Sequence, residues 1–280
     1  MYSRVYLEIT NVCNKNCSFC AKTKRKKQFM SLESFDRVTD SLVGVTKYLY
    51  LHLMGEPLLH KDIGEMIRLA TQKGFKCAIT TNATLIGEVG DTLIDAGVYK
   101  VNMSLHSFQE NDSEAHRNYV LACTEFAKKA TEKDVLCVFR LWNGGSEFNM
   151  NDHTLKILKE CFPWDWVHSQ RGARIKNKLH LEFAKEFVWP DMSSPVISDR
   201  MFCYGLSDHF GILCDGQVVP CCLDHEGDMA LGNIFENSIN EILEGDIAKA
   251  IRQGFEKRLA VCELCKRCGY ATRFSEKNGI

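Results

Sequence analysis

The sequence predicts an α/β protein with a mainly parallel sheet, and three observations carry that reading. From Tyr2 to about Leu181, short apolar β-branched stretches alternate with amphipathic stretches of helical period, giving six βα-like units. The alternation stops near Trp189-Pro-Asp-Met-Ser-Ser-Pro195, where two prolines and two serines break any period. Beyond that point comes a smaller segment rich in cysteine. The expected division is 1–195, 196–272 and a tail, 273–280.

Val5-Tyr6-Leu7-Glu8-Ile9 reads as the first strand. Ser31 is placed to cap a helix with Glu33 in its first turn and Phe35, Val38 and Leu42 on one face. A second strand is expected over 48–53. The next helix starts near Asp62, buries Ile63, Met66, Ile67 and Ala70, and stops at Gly74 before a third strand over 76–81. A helix running to Gly97 leads to the fourth strand, 98–105, and one over roughly 114–132 leads to the fifth, 135–141. A further helix near 152–161 precedes Pro163. The stretch 164–200 is less regular, although Leu179-His-Leu-Glu-Phe183 alternates as a sixth strand does.

Composition narrows the class. With 280 residues, 45% hydrophobic and 25% charged, the chain matches a soluble globular protein, and no apolar run approaches the ~20 residues of a membrane span. A net charge of -1 offers nucleic acid no general attraction. Most of the fourteen cysteines fall in two clusters without a secretion signal, which points to metal ligation in a reducing cytoplasm rather than to disulfides. The basic run Lys22-Thr-Lys-Arg-Lys-Lys27 reads either as a solvated loop or as a contact for an acidic reductase or a phosphorylated substrate.

The first cysteine cluster follows the first strand: Thr10-Asn-Val-Cys13-Asn-Lys-Asn-Cys17-Ser-Phe-Cys20, spaced C-x3-C-x2-C. Zinc and ordinary electron-transfer clusters want four protein ligands, so three thiolates in one loop suggest a cluster with one metal left open. Strand ends are also where parallel α/β folds place their chemistry.

With Phe19 ahead of the last cysteine, this loop resembles that of the radical S-adenosylmethionine (radical SAM) enzymes, and the resemblance extends over nearly the whole chain. It implies a partial (β/α)6 TIM-type barrel. It further implies that Cys13, Cys17 and Cys20 hold a 4Fe-4S cluster whose open iron is chelated by SAM, and that one electron cleaves SAM to a 5'-deoxyadenosyl radical. Met54-Gly55-Glu56-Pro57 looks like the family's G-G-E-P segment with Met in place of the first glycine. That likeness assigns the SAM amino group to backbone carbonyls there and to Glu56, with Gly55 allowing the close approach. In similar enzymes polar strand ends bind the ribose and carboxylate of SAM. Asn82 and Ser104 are the candidates, Ser104 for the ribose, with ordinary turn formation as the alternative. Arg140 can pair with the SAM carboxylate, with a substrate anion or in a surface salt bridge.

The second cluster comprises Cys203, Cys221 with Gly216 five positions before it, and Cys262-Glu-Leu-Cys265-Lys-Arg-Cys268, with an amphipathic stretch over 239–251. It resembles the SPASM/twitch extension, a small C-terminal β-hairpin-plus-helix domain that holds auxiliary 4Fe-4S clusters. No C-x2-C-x5-C-x3-C follows, so one auxiliary cluster is expected, on Cys203, Cys221, Cys262 and Cys265. This arrangement is similar to the twitch domain of 2-deoxy-scyllo-inosamine dehydrogenases. Cys222 can replace Cys221 and Cys268 can replace Cys265; Cys214 reads as structural, and structural zinc is the rival. Cys77, Cys123, Cys137 and Cys161 read as small buried hydrophobes. His52, His60 and His106 read as structural, with His106 near enough to reach substrate, and His209 and His225 are alternative cluster ligands. Arg171, Arg174, Trp164, Trp166 and Trp189 either line a pocket or pack.

The resemblance implies a two-electron oxidation of substrate, with a flavodoxin- or ferredoxin-type electron donor and a monomer by default. Because the first strand begins by about residue 5, with no leader-recognition domain ahead of it, a small molecule such as a sugar or cyclitol alcohol is expected as substrate. Radical modification of a peptide or protein is the alternative, and a non-catalytic iron-sulfur carrier or scaffold is the rival from another class.

Overall fold

Each apolar strand face needs a partner layer, and here the helices supply it along one side of a single open sheet. The computed structural model describes residues 1–146 and 149–275. β1 (Arg4–Leu7), β2 (Tyr48–Tyr50), β3 (Lys76–Thr81), β4 (Lys100–Ser104) and β5 (Leu136–Gly144) pair in parallel, in chain order. α1 (Leu32–Leu42), α2 (Ile63–Gln72), α3 (Ile86–Asp95) and α4 (Ser113–Glu132) connect them. On β1, Val5 and Leu7 are fully buried among the helices' apolar residues while Arg4 and Tyr6 face the other way. Ser31 caps α1 through the Ser34 amide, and α2 buries Ile63, Met66, Ile67 and Ala70. Cys77, Cys123 and Cys137 are buried in this core, and burial alone pushes the Cys77 thiol up to about 12.

After α5 (Asn151–Cys161), the irregular stretch forms an antiparallel hairpin, β6 (Val167–Ser169) and β7 (Gly172–Lys176), which returns as β8 (Leu179–Lys185) parallel to β5. The expected sixth strand is therefore β8. The hairpin escaped the sequence reading because β6 is exposed at all three positions and carries no period-two signal.

The C-terminal segment continues the same sheet. β9 (His209–Ile212) pairs in parallel with the free edge of β1, from Arg4 opposite His209 to Leu7 opposite Ile212. β10 (Gln217–Val219) and β11 (Gly232–Asn233) follow antiparallel, so the order is β11-β10-β9-β1-β2-β3-β4-β5-β8-β7-β6. The amphipathic stretch over 239–251 is two helices, α6 (Ile239–Leu243) and α7 (Asp246–Glu256), the first opened by a Ser238/Glu241 capping box. α8 (Glu263–Lys266) and α9 (Thr272–Ser275) complete the described chain. The rest of the expected tail, 276–280, lies outside the described residues. Among those residues no helix is long and apolar enough to cross a membrane.

One buried ion pair ties the two halves. Glu8, fully buried past the end of β1, takes Arg25 through both oxygens at 2.6 and 2.9 Å. Its carboxylate also accepts the amides of Met54 and Cys214, while Arg25 Nε donates to the His225 carbonyl. The basic run is thus only partly solvated. Arg25 turns inward, whereas Lys22, Lys24, Lys26 and Lys27 are exposed, Lys27 Nζ also reaching the Asn11 carbonyl. Glu8→Gln strands a buried guanidinium and should cost about 3 kcal/mol in urea unfolding, whereas Glu8→Met/Arg25→Met together should cost less than the single change. A loss under about 0.5 kcal/mol for Glu8→Gln, the scale of a neutral surface substitution, would refute this role.

Candidate active site at the two cysteine clusters

The first cysteine loop is a lasso closed at its neck by Asn11. The Asn11 side chain donates to the Lys26 carbonyl at 2.9 Å and accepts the Gln28 amide at 2.8 Å, beside a bridge between Thr10 and Phe29. Cys13 is exposed at the tip and Cys17 and Cys20 are half-buried. Burial, and next the charge of neighbouring thiolates, raise Cys17 above a free thiol; Cys13 is likewise raised by burial first. A cation held among the three would relieve that, so the donor set fits a metal cluster. Among the described residues no three Cys, His, Asp or Glu side chains converge as around one ion; these thiols are spread more widely.

The G-E-P loop docks on the lasso. Gly55 has φ +76°, and a Cβ there would lie 2.5 Å from the Thr10 carbonyl and 2.8 Å from that of Val12. The Glu56 amide donates to the Val12 carbonyl at 2.8 Å. The Glu56 side chain is buried: Oε1 accepts the Thr81 hydroxyl at 2.7 Å and the Leu58 amide at 2.9 Å, and Oε2 accepts the Asn82 amide at 2.7 Å. Asn82 Nδ2 donates to Asn14 at 2.8 Å and lies 3.8 Å from Cys13 Sγ. Tyr119, which sequence reasoning missed, donates its hydroxyl to the Asn82 carbonyl and lies 3.3 Å from that of Ser104, joining the ends of β3 and β4. Gly55, Glu56 and Asn82 therefore gather at the cysteine loop, and Tyr119 ties the Ser104 backbone to that of Asn82.

Phe19 and Arg140 instead face a cavity of about 530 Å³ on the face of the sheet that carries Arg4 and Tyr6. Arg140 is not at the surface. Its side chain is 14% exposed, 3.3 Å from both Glu182 and Thr80 Oγ1, with its guanidinium 4.4 Å over the Trp142 ring. His52 accepts the Thr80 amide through Nδ1, and burial, then Arg140 and Lys100, pull it down to about 3. His106 bonds the Arg140 carbonyl through Nδ1 and packs on Phe19, and burial draws it down to about 4. Both rings are neutral at pH 7.

The opposite wall belongs to the C-terminal segment and includes Cys203, Cys221, Cys222, Cys265 and Cys268. Cys262 is not on that wall but hydrogen-bonds Cys265, which draws Cys262 down and Cys265 up. The six thiols share one neighbourhood, so Cys222 and Cys268 remain in reach of the four expected ligands. Cys214 is buried, its thiol 3.6 Å from the Ile9 carbonyl. His209 faces the cavity with Nδ1 on Asp208; His225 packs edge-on against Trp189. Trp189 Nε1 donates to the Phe19 carbonyl at 3.0 Å and so links the segment to the cysteine loop. Trp164 and Trp166 bond local carbonyls and, with Arg171 and Arg174, lie outside the cavity wall.

Residues 7–158, more than half of the chain, match the profile of the Radical SAM superfamily. The chain belongs to the radical SAM superfamily. Residues 203–269 match the SPASM iron-sulfur cluster-binding domain. SAM and a 4Fe-4S cluster are accordingly the cofactors of the radical SAM domain, and the SPASM domain binds auxiliary iron-sulfur. Among similar folds, BtrN in complex with AdoMet and 2-DOIA aligns over 96% of this chain and 93% of its own, with TM-score 0.61 and 20% identity. Streptococcus suis SuiB bound to S-adenosylmethionine aligns over 96% and 72%, with TM-score 0.62 and 17% identity. Fe-coproporphyrin III synthase of Methanosarcina barkeri is 30% identical over 198 residues, 66% of this chain and 49% of that protein. GTP 3',8-cyclase of Chlorobaculum tepidum is 35% identical over 109 residues, 36% of this chain and 32% of its own length. The chain thus spans half or less of these two relatives.

Gly55→Ala should push the G-E-P loop off the lasso. After anaerobic reconstitution it should bind SAM at least about tenfold more weakly in equilibrium dialysis, since even 1.4 kcal/mol of strain is tenfold. Wild-type affinity in that variant would show the close approach to be dispensable.

Proposed function

We propose that this radical SAM protein oxidises a small-molecule alcohol, with one auxiliary 4Fe-4S cluster on Cys203, Cys221, Cys262 and Cys265. One observation carries the reading: a single cavity has Phe19 of the first cysteine loop on one wall and Cys203, Cys221 and Cys265 on another. Its volume of about 530 Å³ lies in the usual range for small ligands, ~300–1,000 Å³. Cys13, Cys17 and Cys20 would hold a cluster that supplies the electron for reductive SAM cleavage, and Cys203, Cys221, Cys262 and Cys265 would hold one able to accept an electron from the oxidised substrate.

The chain's own residues position and shield. Gly55 brings the G-E-P backbone close enough for its carbonyls to receive the SAM ammonium, while the Glu56 carboxylate, already bonded three times, holds that loop to β3. Asn82 lies at the loop and Ser104 ends the neighbouring β4, where the ribose would rest, and Arg140 offers a guanidinium to a carboxylate. Trp189, bridging Phe19 and His225, helps keep water from the reacting centre. Lys22, Lys24 and Lys26 give an acidic flavodoxin- or ferredoxin-type donor a complementary face near the cluster. The shared fold with BtrN, crystallised with 2-DOIA, supports a cyclitol-like substrate. SuiB, with a similar fold, is bound to precursor peptide SuiA in one structure, which makes a peptide the second reading.

Anaerobic reconstitution should give about eight irons per chain and deoxyadenosine on reduction with dithionite. The Cys13→Ala/Cys17→Ala/Cys20→Ala variant should keep about four irons and form no deoxyadenosine. A wild type that holds iron yet never cleaves SAM would overturn the enzymatic reading in favour of a carrier.

A further inference from the structure

Oxidising an alcohol requires a place for the hydroxyl proton as well as for the electron. Once the carbinol hydrogen has left, the α-hydroxy radical gives up its electron readily only as its O–H proton departs, and a positioned base speeds that transfer. Such a base must offer a free lone pair to the cavity.

Four ionisable side chains of the cavity wall fall short. His52 already uses Nδ1 to accept the Thr80 amide at 3.1 Å, so its neutral ring carries the proton on Nε2. His106 holds Nδ1 at 3.0 Å from the Arg140 carbonyl, and a proton added to that ring would sit against the charge of Arg140, which after burial already lowers it. Asp208 accepts from Ser3 and Arg4, bonds that hold its carboxyl down to about 2 against the effect of burial. Glu186 is exposed, where bulk water competes for its carboxylate.

His209 differs. It opens β9, lies opposite Arg4 in the parallel register with β1, and lines the cavity. Nδ1 lies 3.3 Å from Asp208 Oδ2, so the neutral ring donates its proton there and leaves a lone pair on Nε2. Among the described residues no hydrogen bond ends on Nε2, and the buried side-chain atoms without a partner are Arg4 Nε and Asn102 Oδ1. Nε2 is therefore both unpartnered and accessible, on a side chain 16% exposed. Tyr6 packs edge-on against the ring at 5.6 Å, and the Leu206 amide donates to the His209 carbonyl at 2.8 Å, which fixes its backbone. Burial lowers the ring below an ordinary histidine, the bond to Asp208 opposes this, and Arg4 adds to the lowering. The ring thus rests neutral at pH 7, with a carboxylate beside it to stabilise the imidazolium once formed.

We propose that His209 is the catalytic base, receiving the substrate hydroxyl proton on Nε2 while its Nδ1 proton stays on Asp208. This rests on the reading of the cavity as the site of alcohol oxidation. The balance closes: the C–H hydrogen atom goes to the deoxyadenosyl radical, the O–H proton to His209, and the remaining electron to the auxiliary 4Fe-4S cluster as the C=O bond forms.

The test uses reconstituted holoprotein with SAM, dithionite and three alcohol probes: 2-DOIA, myo-inositol and glucose. With the probe that the wild type oxidises best, His209→Ala should lower the ketone formed per deoxyadenosine at least about tenfold. Freeze-quench electron paramagnetic resonance should show an organic substrate radical accumulating in that variant, and added imidazole should restore part of the ketone yield. The variant should keep its full iron complement; loss of about four irons would make His209 a cluster ligand instead and overturn the proposal. An unchanged yield of ketone per deoxyadenosine would overturn it too. A wild type that forms deoxyadenosine but no ketone from any probe fails the alcohol reading itself, whatever the variant does. Diethyl pyrocarbonate supplies a measurement that needs neither substrate nor variant: peptide mass mapping of the anaerobic holoprotein should find His209 carbethoxylated. An unmodified His209 under conditions that label the exposed His168 would refute the free Nε2.

Discussion

The buried carboxylate of Glu8 is the constraint from which both cysteine clusters take their place. It lies just past the end of the first strand, and it is tolerated in a dry position because Arg25 and two backbone amides saturate it. Those donors come from the lasso, from the loop after β2 and from the turn after β9. Glu56 repeats the device one strand over, gathering a hydroxyl and two amides at the ends of β2 and β3. Irregular loops cannot rely on ladder hydrogen bonds. Buried acceptors of several donors supply their order instead, and removing one leaves the rest unsatisfied.

Such anchors are poorly legible in a sequence. Periodicity reveals side chains that share an apolar face, so the alternation of strands and helices, the buried face of α2 and the strand at 179–185 could be read directly. It says nothing of a polar side chain that turns to meet a distant backbone. Asn11, Arg25, Tyr119 and Trp189 all do this; the run holding Arg25 read as a solvated loop or a partner contact and Trp189 as pocket lining or packing, and neither reading foresaw the backbone carbonyl that each meets. The parallel pairing of β1 with β9 is equally silent, because partners some two hundred positions apart leave no local pattern. The hairpin at 167–176 was hidden for the opposite reason: its first strand buries nothing.

The candidate site was legible in its chemistry more than in its contacts. Cysteine spacing marked both clusters, since C-x3-C-x2-C at Cys13, Cys17 and Cys20 and C-x2-C-x2-C at Cys262, Cys265 and Cys268 are spacings at which thiols can meet around one metal centre. Spacing could not rank Cys221 against Cys222 or Cys265 against Cys268, and the fold brings all of them to one place. Arg140 was open to three readings. Its guanidinium pairs with the partly exposed Glu182 and lies over Trp142, so the ion pair forms on the cavity wall and the guanidinium faces the cavity.

Topology explains why one strand can serve two clusters. In a closed barrel β1 would be one stave among equals, and a C-terminal addition could only cap an end. Here the sheet is open and β1 lies between β2 and β9, so the loop leaving β1 stands at the seam where the two halves meet. The lasso can then be gripped from both sides: by Gly55 and Glu56 on the barrel side, and by the His225 carbonyl and Trp189 on the other. The same seam aims Arg4 and His209, opposite each other in register, into the cavity beneath that loop. Leaving the barrel unclosed gives up ladder hydrogen bonds at one edge, but β9 restores them while bringing a cysteine-bearing turn to the cavity wall.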